Sequence, residues 1–293
     1  MTRLLESRLG VAIPIIQAPM GGGPNGPELA AAVSNAGALG SLPGAYLTDI
    51  EFEKDIRRTR ELTDRPFCVN LFIPTPAETW QTLEESILET AFHAALDATR
   101  PYRQELGLPD PKIAPPYEQD FERQISVILR EKPAAFSFIF GLLPKKVLDE
   151  CRRSGILTIG TATTLEEGLA LQKSGVDAVI AQGLEAGGHH GIFSQESDDP
   201  NIDTLTLTKL LAKNLSIPVI AAGGIMAGVE IKTALDCGAQ AVQMGTAFLL
   251  CDEAKTLSEN KVIEAAPSRV TKDIAVIIFR DLSKPLLINL VCM

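Results

Sequence analysis

Eight short apolar runs, most followed by a stretch of helical periodicity, constrain the fold of this chain more than any other feature. The first, "IPIIQAPM" (Ile13 to Met20), precedes "PELAAAVSNAG" (Pro27 to Gly37), a helix with proline at its start and glycine at its end. "ALGSLPG" (Ala38 to Gly44) is the second, and Thr48 stands where the helix in "LTDIEFEKDIRRTRELT" needs an N-cap. The third and fourth are "PFCVNLF" (Pro66 to Phe72) and "AAFSFIFG" (Ala134 to Gly141), the latter followed by a helix starting at Pro144. Then come "LTIGTA" (Leu157 to Ala162), "DAVIAQG" (Asp177 to Gly183), "IPVIAAGGI" (Ile217 to Ile225) and "AQAVQMGTAFLL" (Ala239 to Leu250). Runs so continuously apolar suit parallel strands covered on both faces. Eight such units in about 250 residues predict an α/β fold, the closed (β/α)8 TIM barrel. An open doubly wound sheet would carry G-x-G-x-x-G after its first strand, where this chain has "APMGGGPNGPE".

The pattern breaks once, over residues 74–131, where a polar, helix-rich segment reads as an insertion forming a lid or wall over one end of the fold. The expected organisation is a barrel over residues 1–265 carrying that insertion, then an atypical tail over 266–293. The apolar run "IAVIIF" in the tail offers a surface to cover the barrel or to pair in a homo-oligomer.

A net charge of −10 argues against nucleic acid and anionic membranes as partners. An anionic ligand must then be held locally, by backbone N–H groups, helix N-termini or one placed side chain. Five cysteines, an odd count with no C-x-x-C, speak against a disulfide framework or structural zinc; Cys68 and Cys237 read as small buried hydrophobes. The N-terminus lacks a secretory pattern, and no window reaches the roughly 18 apolar residues of a membrane span, so the expectation is a soluble cytoplasmic protein.

In a barrel the active site lies where strands end and loops begin. "QAPMGGG", "VNLF", "AQGLEAGGHHG", "AAGGIMAG" and "QMGTAF" all place glycine or polar residues there. Gly223 and Gly224 after the seventh strand, with Gly245 and Thr246 after the eighth, occupy the fold's usual phosphate position. His189 is placed as a general base or hydrogen-bond donor. His190 would point the other way in an extended backbone, and His93 sits in a helical pattern suited to packing. The three histidines show no metal-ligand spacing, and no G-x-S-x-G nucleophile elbow occurs.

"IIQAPMGGG", "VNLF", "AQGLEAGGHHG", "IPVIAAGGIMAG" and "AVQMGTAFLL", in this order from about Leu4 to about Glu253, resemble the nitronate monooxygenases, formerly called 2-nitropropane dioxygenases. The resemblance implies an FMN-dependent barrel that oxidises alkyl nitronates, such as propionate 3-nitronate, with O2 to a carbonyl compound and nitrite. It implies that Ala18, Pro19 and Met20 line the flavin ring, that Asn70 and Gln182 hydrogen-bond to the isoalloxazine or ribityl groups, and that Gly187 lies against the cofactor. Gly224 with Gln243, Met244, Gly245 and Thr246 would hold the phosphate end, and His189 matches the family's active-site histidine. Two departures stand out: many members carry histidine where this chain has Ile139 in "SFIFG", and residues 266–293 do not align. Rival readings are an FMN-dependent enoyl-acyl-carrier-protein reductase, an NADH:quinone reductase, and a scaffold without catalysis that binds flavin or nothing.

Overall fold

A computed structural model describes residues 4–74, 85–105, 107, 109–110, 118–193 and 201–255. The tail over 266–293 and part of the insertion lie outside them. Strands β1 (Ile15–Gln17), β2 (Gly40–Pro43), β3 (Phe67–Phe72), β4 (Ala135–Ile139), β5 (Leu157–Ala162), β6 (Ala178–Gln182), β7 (Val219–Ala222) and β8 (Ala241–Met244) form one parallel sheet. Its order, β1-β8-β7-β6-β5-β4-β3-β2, brings the first strand beside the last. At the remaining seam, between β1 and β2, a single bridge joins Ile16 to Leu39. There the Gln17 N–H donates to the Leu39 carbonyl (2.9 Å) and the Leu39 N–H to that of Ile15 (3.0 Å). The expected barrel is thus present and nearly closed.

Alternation along the strands sorts the apolar side chains into two layers. Ile16, Leu39, Cys68, Ala135, Leu157, Ile159, Ala178, Ile180, Ile220 and Ala241 form one buried cluster, with Leu5 and Val11 packed among them. Their intervening neighbours, such as Val69, Leu71, Phe136, Phe138, Val179 and Ala181, pack in another cluster with helical residues including Phe52, Ile56, Val147, Leu148 and Leu207. Burial on both sides explains why the strands read as continuous apolar runs.

The helices before the insertion are α1 (Leu4–Leu9), α2 (Pro27–Asn35) and α3 (Asp49–Leu62). Thr48 caps α3 as expected: the Glu51 N–H donates to its hydroxyl (3.3 Å) and the Thr48 N–H to the Glu51 carboxylate (3.0 Å). Residues Pro74–Gln119 make a compact unit of their own, containing α4 (Glu85–Glu105) with His93 exposed on it. The next helix, α5 (Phe121–Glu131), which the sequence pattern assigned to the insertion, belongs with the barrel. The physical tie is Glu131, which accepts from Arg57 (3.1 Å) and Arg60 (2.6 Å) of α3. Four further helices follow, α6 (Lys145–Arg153), α7 (Leu165–Ser174), α8 (Thr204–Asn214) and α9 (Gly228–Asp236), then a single 3-10 turn over Thr246–Phe248. Among the described residues no helix is long and apolar enough to cross a membrane.

Candidate active site

Towards the carboxyl ends of the strands, positions that continue the inward-facing set turn polar: Ser41, Asn70, Ser137, Thr161, Gln182 and Gln243. Burying such groups is tolerable only where they are bonded. Asn70, 3% exposed, donates from Nδ2 to Ser137 Oγ (3.0 Å), and Ser137 donates on to the Val69 carbonyl (3.4 Å). Ser41 is held through its backbone, its N–H donating to Gln17 Oε1 (3.0 Å) and its carbonyl accepting from Asn25 Nδ2 (2.7 Å). Cys68 lies in the same interior, where burial pushes its thiol up to about 11, so it is no nucleophile at neutral pH. The four described cysteines are all free thiols.

The β6 loop is fastened at both ends. Gln182 Nε2 donates to the His189 carbonyl (2.9 Å), and its Oε1 accepts from the Gly191 N–H (2.7 Å). One amide therefore staples the backbone on either side of His190 and fixes where His189 leaves the chain. Nearer the strand, Glu185 accepts from the Thr204 N–H (2.9 Å) and hydroxyl (2.7 Å) at the start of α8. This junction leaves no room for side chains. A Cβ on Gly183 would overlap Thr204, one on Gly223 would lie 2.5 Å from Thr204 Oγ1, and one on Gly224 would lie 2.9 Å from Glu185 Cβ. Gly223 and Gly224 also have φ of +123° and +64°, which favours glycine.

Gly187 and Gly188 are different. Neither has positive φ, and a Cβ on either would meet nothing within 4 Å. Packing and backbone conformation, which account for Gly183, Gly223 and Gly224, do not account for these two.

His189 is exposed and stands beside an aromatic group that the sequence reading missed. Its ring centroid lies 5.6 Å from Phe72 and 6.1 Å from Phe140; those two meet edge to face at 5.0 Å, and Tyr46 joins Phe72 at 5.7 Å. Phe140 holds φ of +73°, unusual for a bulky residue and costing roughly 1–3 kcal/mol. The available signal was positional: residues 46, 72 and 140 all fall at or just beyond strand ends.

The remaining expected residues meet at the β1–β8 edge. The Ala18 N–H donates to the Met244 carbonyl (2.7 Å). A Cβ on Gly245 would make only ordinary contacts with Ala18 Cβ (3.5 Å) and Met20 Sδ (3.6 Å), so packing does not require glycine there. Pro19 and Gln243 are half-buried and Thr246 is exposed. After β7, the Ala227 N–H already donates to Glu230 (2.6 Å), a carboxylate from the first turn of α9. Among the described residues no group of three His, Cys, Asp or Glu side chains could hold a metal ion.

The family model described as "Nitronate monooxygenase" matches residues 4–276. This chain belongs to the nitronate monooxygenase family. A nitronate monooxygenase of Paraburkholderia phytofirmans is 44% identical over 254 residues, covering 86% of this chain and 67% of that protein. One of Pseudomonas aeruginosa is 45% identical over 260 residues, covering 87% and 71%. Among solved structures, a nitroalkane oxidase from Streptomyces ansochromogenes superimposes with a TM-score of 0.79 at 39% identity, covering 90% of this chain and 73% of its own. FabK from Thermotoga maritima does so with a TM-score of 0.68 at 27% identity, covering 92% and 69%. The family resemblance expected from the strand-end motifs is borne out, and the relatives' names indicate an oxidoreductase acting on small molecules.

Proposed function

We propose that this chain is an FMN-dependent monooxygenase converting alkyl nitronates and O2 to carbonyl compounds and nitrite. The observation that carries the reading is His189 itself, fixed by the Gln182 staple directly after two glycines that neither packing nor φ requires. Open glycine backbone is what a flat ring needs in order to lie close to a chain.

The residues present fit FMN. Gly187 and Gly188 leave room along the β6 loop, and Gly245 leaves room beside Ala18 and Met20. In this reading Ala18, Pro19 and Met20 line the ring and Asn70 faces its polar edge. Gln182 contributes through the N–H and the lone pair that its loop contacts leave over. Gly224, Gln243, Met244, Gly245 and Thr246 hold the phosphate through backbone and hydroxyl donors, since Glu230 already occupies part of the α9 terminus. FMN, when bound, would supply the redox capacity, taking electrons from the nitronate and passing them to O2.

His189 does the rest. As imidazolium it donates a hydrogen bond to a nitronate oxygen and offsets its charge. As neutral imidazole it removes the α-proton of a neutral nitroalkane, holding that proton on a ring nitrogen. Phe72 and Phe140 shield one flank of the imidazole from water.

The test is the visible spectrum of the purified protein, recorded without oxygen as a nitronate is added. A bound flavin that is reduced by the nitronate and reoxidised by air supports the reading. Absence of flavin, or a flavin reduced by NADH and indifferent to nitronates, overturns it and favours the scaffold or reductase. His189→Asn should retain flavin and lose activity on neutral nitroalkanes by roughly 10²–10⁴-fold.

A further inference from the structure

Beyond Gly191 the β6 loop is held a third time, by a side chain from a different β/α unit. Glu167 stands half-buried in the first turn of α7, three residues after the N-cap Thr164, whose hydroxyl accepts from the Glu167 N–H (3.1 Å). A glutamate at that position ordinarily turns back to the N–H of the cap residue itself. Here it reaches one residue further: Oε2 accepts from the Thr163 N–H (2.6 Å) and hydroxyl (2.8 Å). Its other oxygen, Oε1, accepts from the N–H of Phe193 (2.8 Å), at the far end of the β6 loop.

The two ends of the loop are thus clamped in the same way. Glu185 meets the N–H and hydroxyl of Thr204 with one oxygen, as Glu167 meets those of Thr163. Hydrogen bonds to an ionised acceptor are roughly twice as strong as neutral ones. Between the clamps lies the Gln182 staple at His189 and Gly191. Gly191 is buried, and a Cβ on it would lie 3.2 Å from Thr161 Cγ2 and 3.6 Å from Ile139 Cβ, so the chain is seated here on the ends of β4 and β5. Phe193 packs against the apolar cluster between strands and helices. Because Thr164 already caps α7 and Thr163 already engages one carboxylate oxygen, the bond to Phe193 adds nothing to the helix; what it orders is the loop.

We infer that Glu167 is a positioning residue for His189: by clamping Phe193 it fixes where the imidazole stands over the strand ends, acting through the loop and not on the substrate. The kinetic side of the inference rests on the nitronate reading above; the clamp itself does not. A displacement of about 1 Å in a reacting group can cost roughly 10²-fold in rate. Glu167→Gln keeps the side-chain length, but an amide nitrogen cannot accept, so whichever way it turns either the Phe193 or the Thr163 N–H faces a donor. Glu167→Asp keeps the charge and is too short to reach both partners.

The test sets these two variants beside Thr164→Ala, which removes the cap of α7 and leaves the Phe193 clamp in place. Hydrogen exchange of the Phe193 amide, read in a peptide spanning 187–193 of the purified protein, should speed up by roughly 10–100-fold in Glu167→Gln and Glu167→Asp, and stay near the wild-type rate in Thr164→Ala. With ethyl nitronate, followed by O2 consumption, Glu167→Gln should lower kcat by roughly tenfold or more and change KM by less than about threefold. In a His189→Asn background the same substitution should change kcat by less than about twofold, because the residue through which it acts is gone. Unchanged exchange in both Glu167 variants overturns the clamp. Thr164→Ala reproducing their effects shows that loss of the helix cap suffices, and overturns the inference; so does a fall in kcat as large without His189 as with it. A wild-type protein that does not consume ethyl nitronate overturns the nitronate reading and the kinetic role together, while faster exchange in the Glu167 variants would still uphold the clamp.

Discussion

Replacing Gln182 by methionine keeps side-chain length and removes both hydrogen bonds that staple the β6 loop. Those bonds are 2.9 Å and 2.7 Å, of good geometry, and each contributes about 0.5–1.5 kcal/mol net. The Gly191 N–H lies in a buried residue, so its unpaired state adds to the loss. A total near 2 kcal/mol corresponds to a change of roughly 30-fold in the loop's open population. The Glu185–Thr204 tie, on the strand side of Gly187, is untouched, so opening should be confined to residues 187–193. Hydrogen exchange followed by mass spectrometry on a peptide spanning these residues reads the effect directly. Protection there should fall by roughly that 30-fold, with strands β3 to β5 unaffected. Unchanged loop protection would refute the staple; equal loss of protection in the strands would show that Gln182 supports the barrel instead.

Two other substitutions separate packing from ligand approach. A Cβ on Gly40 would overlap the Ala30 carbonyl of α2, a backbone neighbour that cannot rotate away, so Gly40→Ala should cost more than about 4 kcal/mol and prevent folding. Gly187→Ala should change unfolding stability by less than about 0.5 kcal/mol while weakening flavin retention; a large loss of stability would remove the argument from open glycine backbone. Asp203 caps α8, and hydrogen bonds from the Thr206 side chain and backbone hold its carboxyl below the usual value of 3.8. Because the folded value is the lower one, the cap stabilises fully above the unfolded value and is lost as pH falls through the folded value. Asp203→Ala should therefore lower Tm at pH 7 and have a shrinking effect below pH about 4; a Tm difference independent of pH would refute the charged cap.

The strands were legible because burial on both faces leaves continuous apolar runs, yet their lengths were not. "IPIIQAPM" suggests eight extended residues, and β1 keeps only Ile15–Gln17. Pro14 and Pro19, which lack an N–H for the ladder, bracket it. The extent of α5 was obscured because its polar outer face resembles the insertion before it, whereas its packing on α3 depends on Arg57 and Arg60, about seventy positions earlier in the chain. At the site, glycine runs drew attention to the right loops, but all glycines looked alike. Only three-dimensional neighbours distinguish Gly183, excluded from bearing a side chain by Thr204, from Gly187, which faces open space. Nothing in the sequence sets Phe72 and Phe140 apart, because an aromatic at the end of an apolar run usually is core. Gln182 drew notice as a polar strand end, but its partners are backbone atoms that any sequence would supply.

The pairing of β1 has a consequence for how this protein is made. Ile15, Ile16 and Gln17 align with Val242, Gln243 and Met244, while the opposite edge of β1 has the single bridge to Leu39. The strand that leaves the ribosome first therefore waits for the last strand before its main partner exists. Until then β2 to β7 can assemble only as an open sheet with two unsatisfied edges, the configuration most prone to pair with another chain. Synthesis of β8, rather than formation of any earlier β/α unit, is the event that removes those edges.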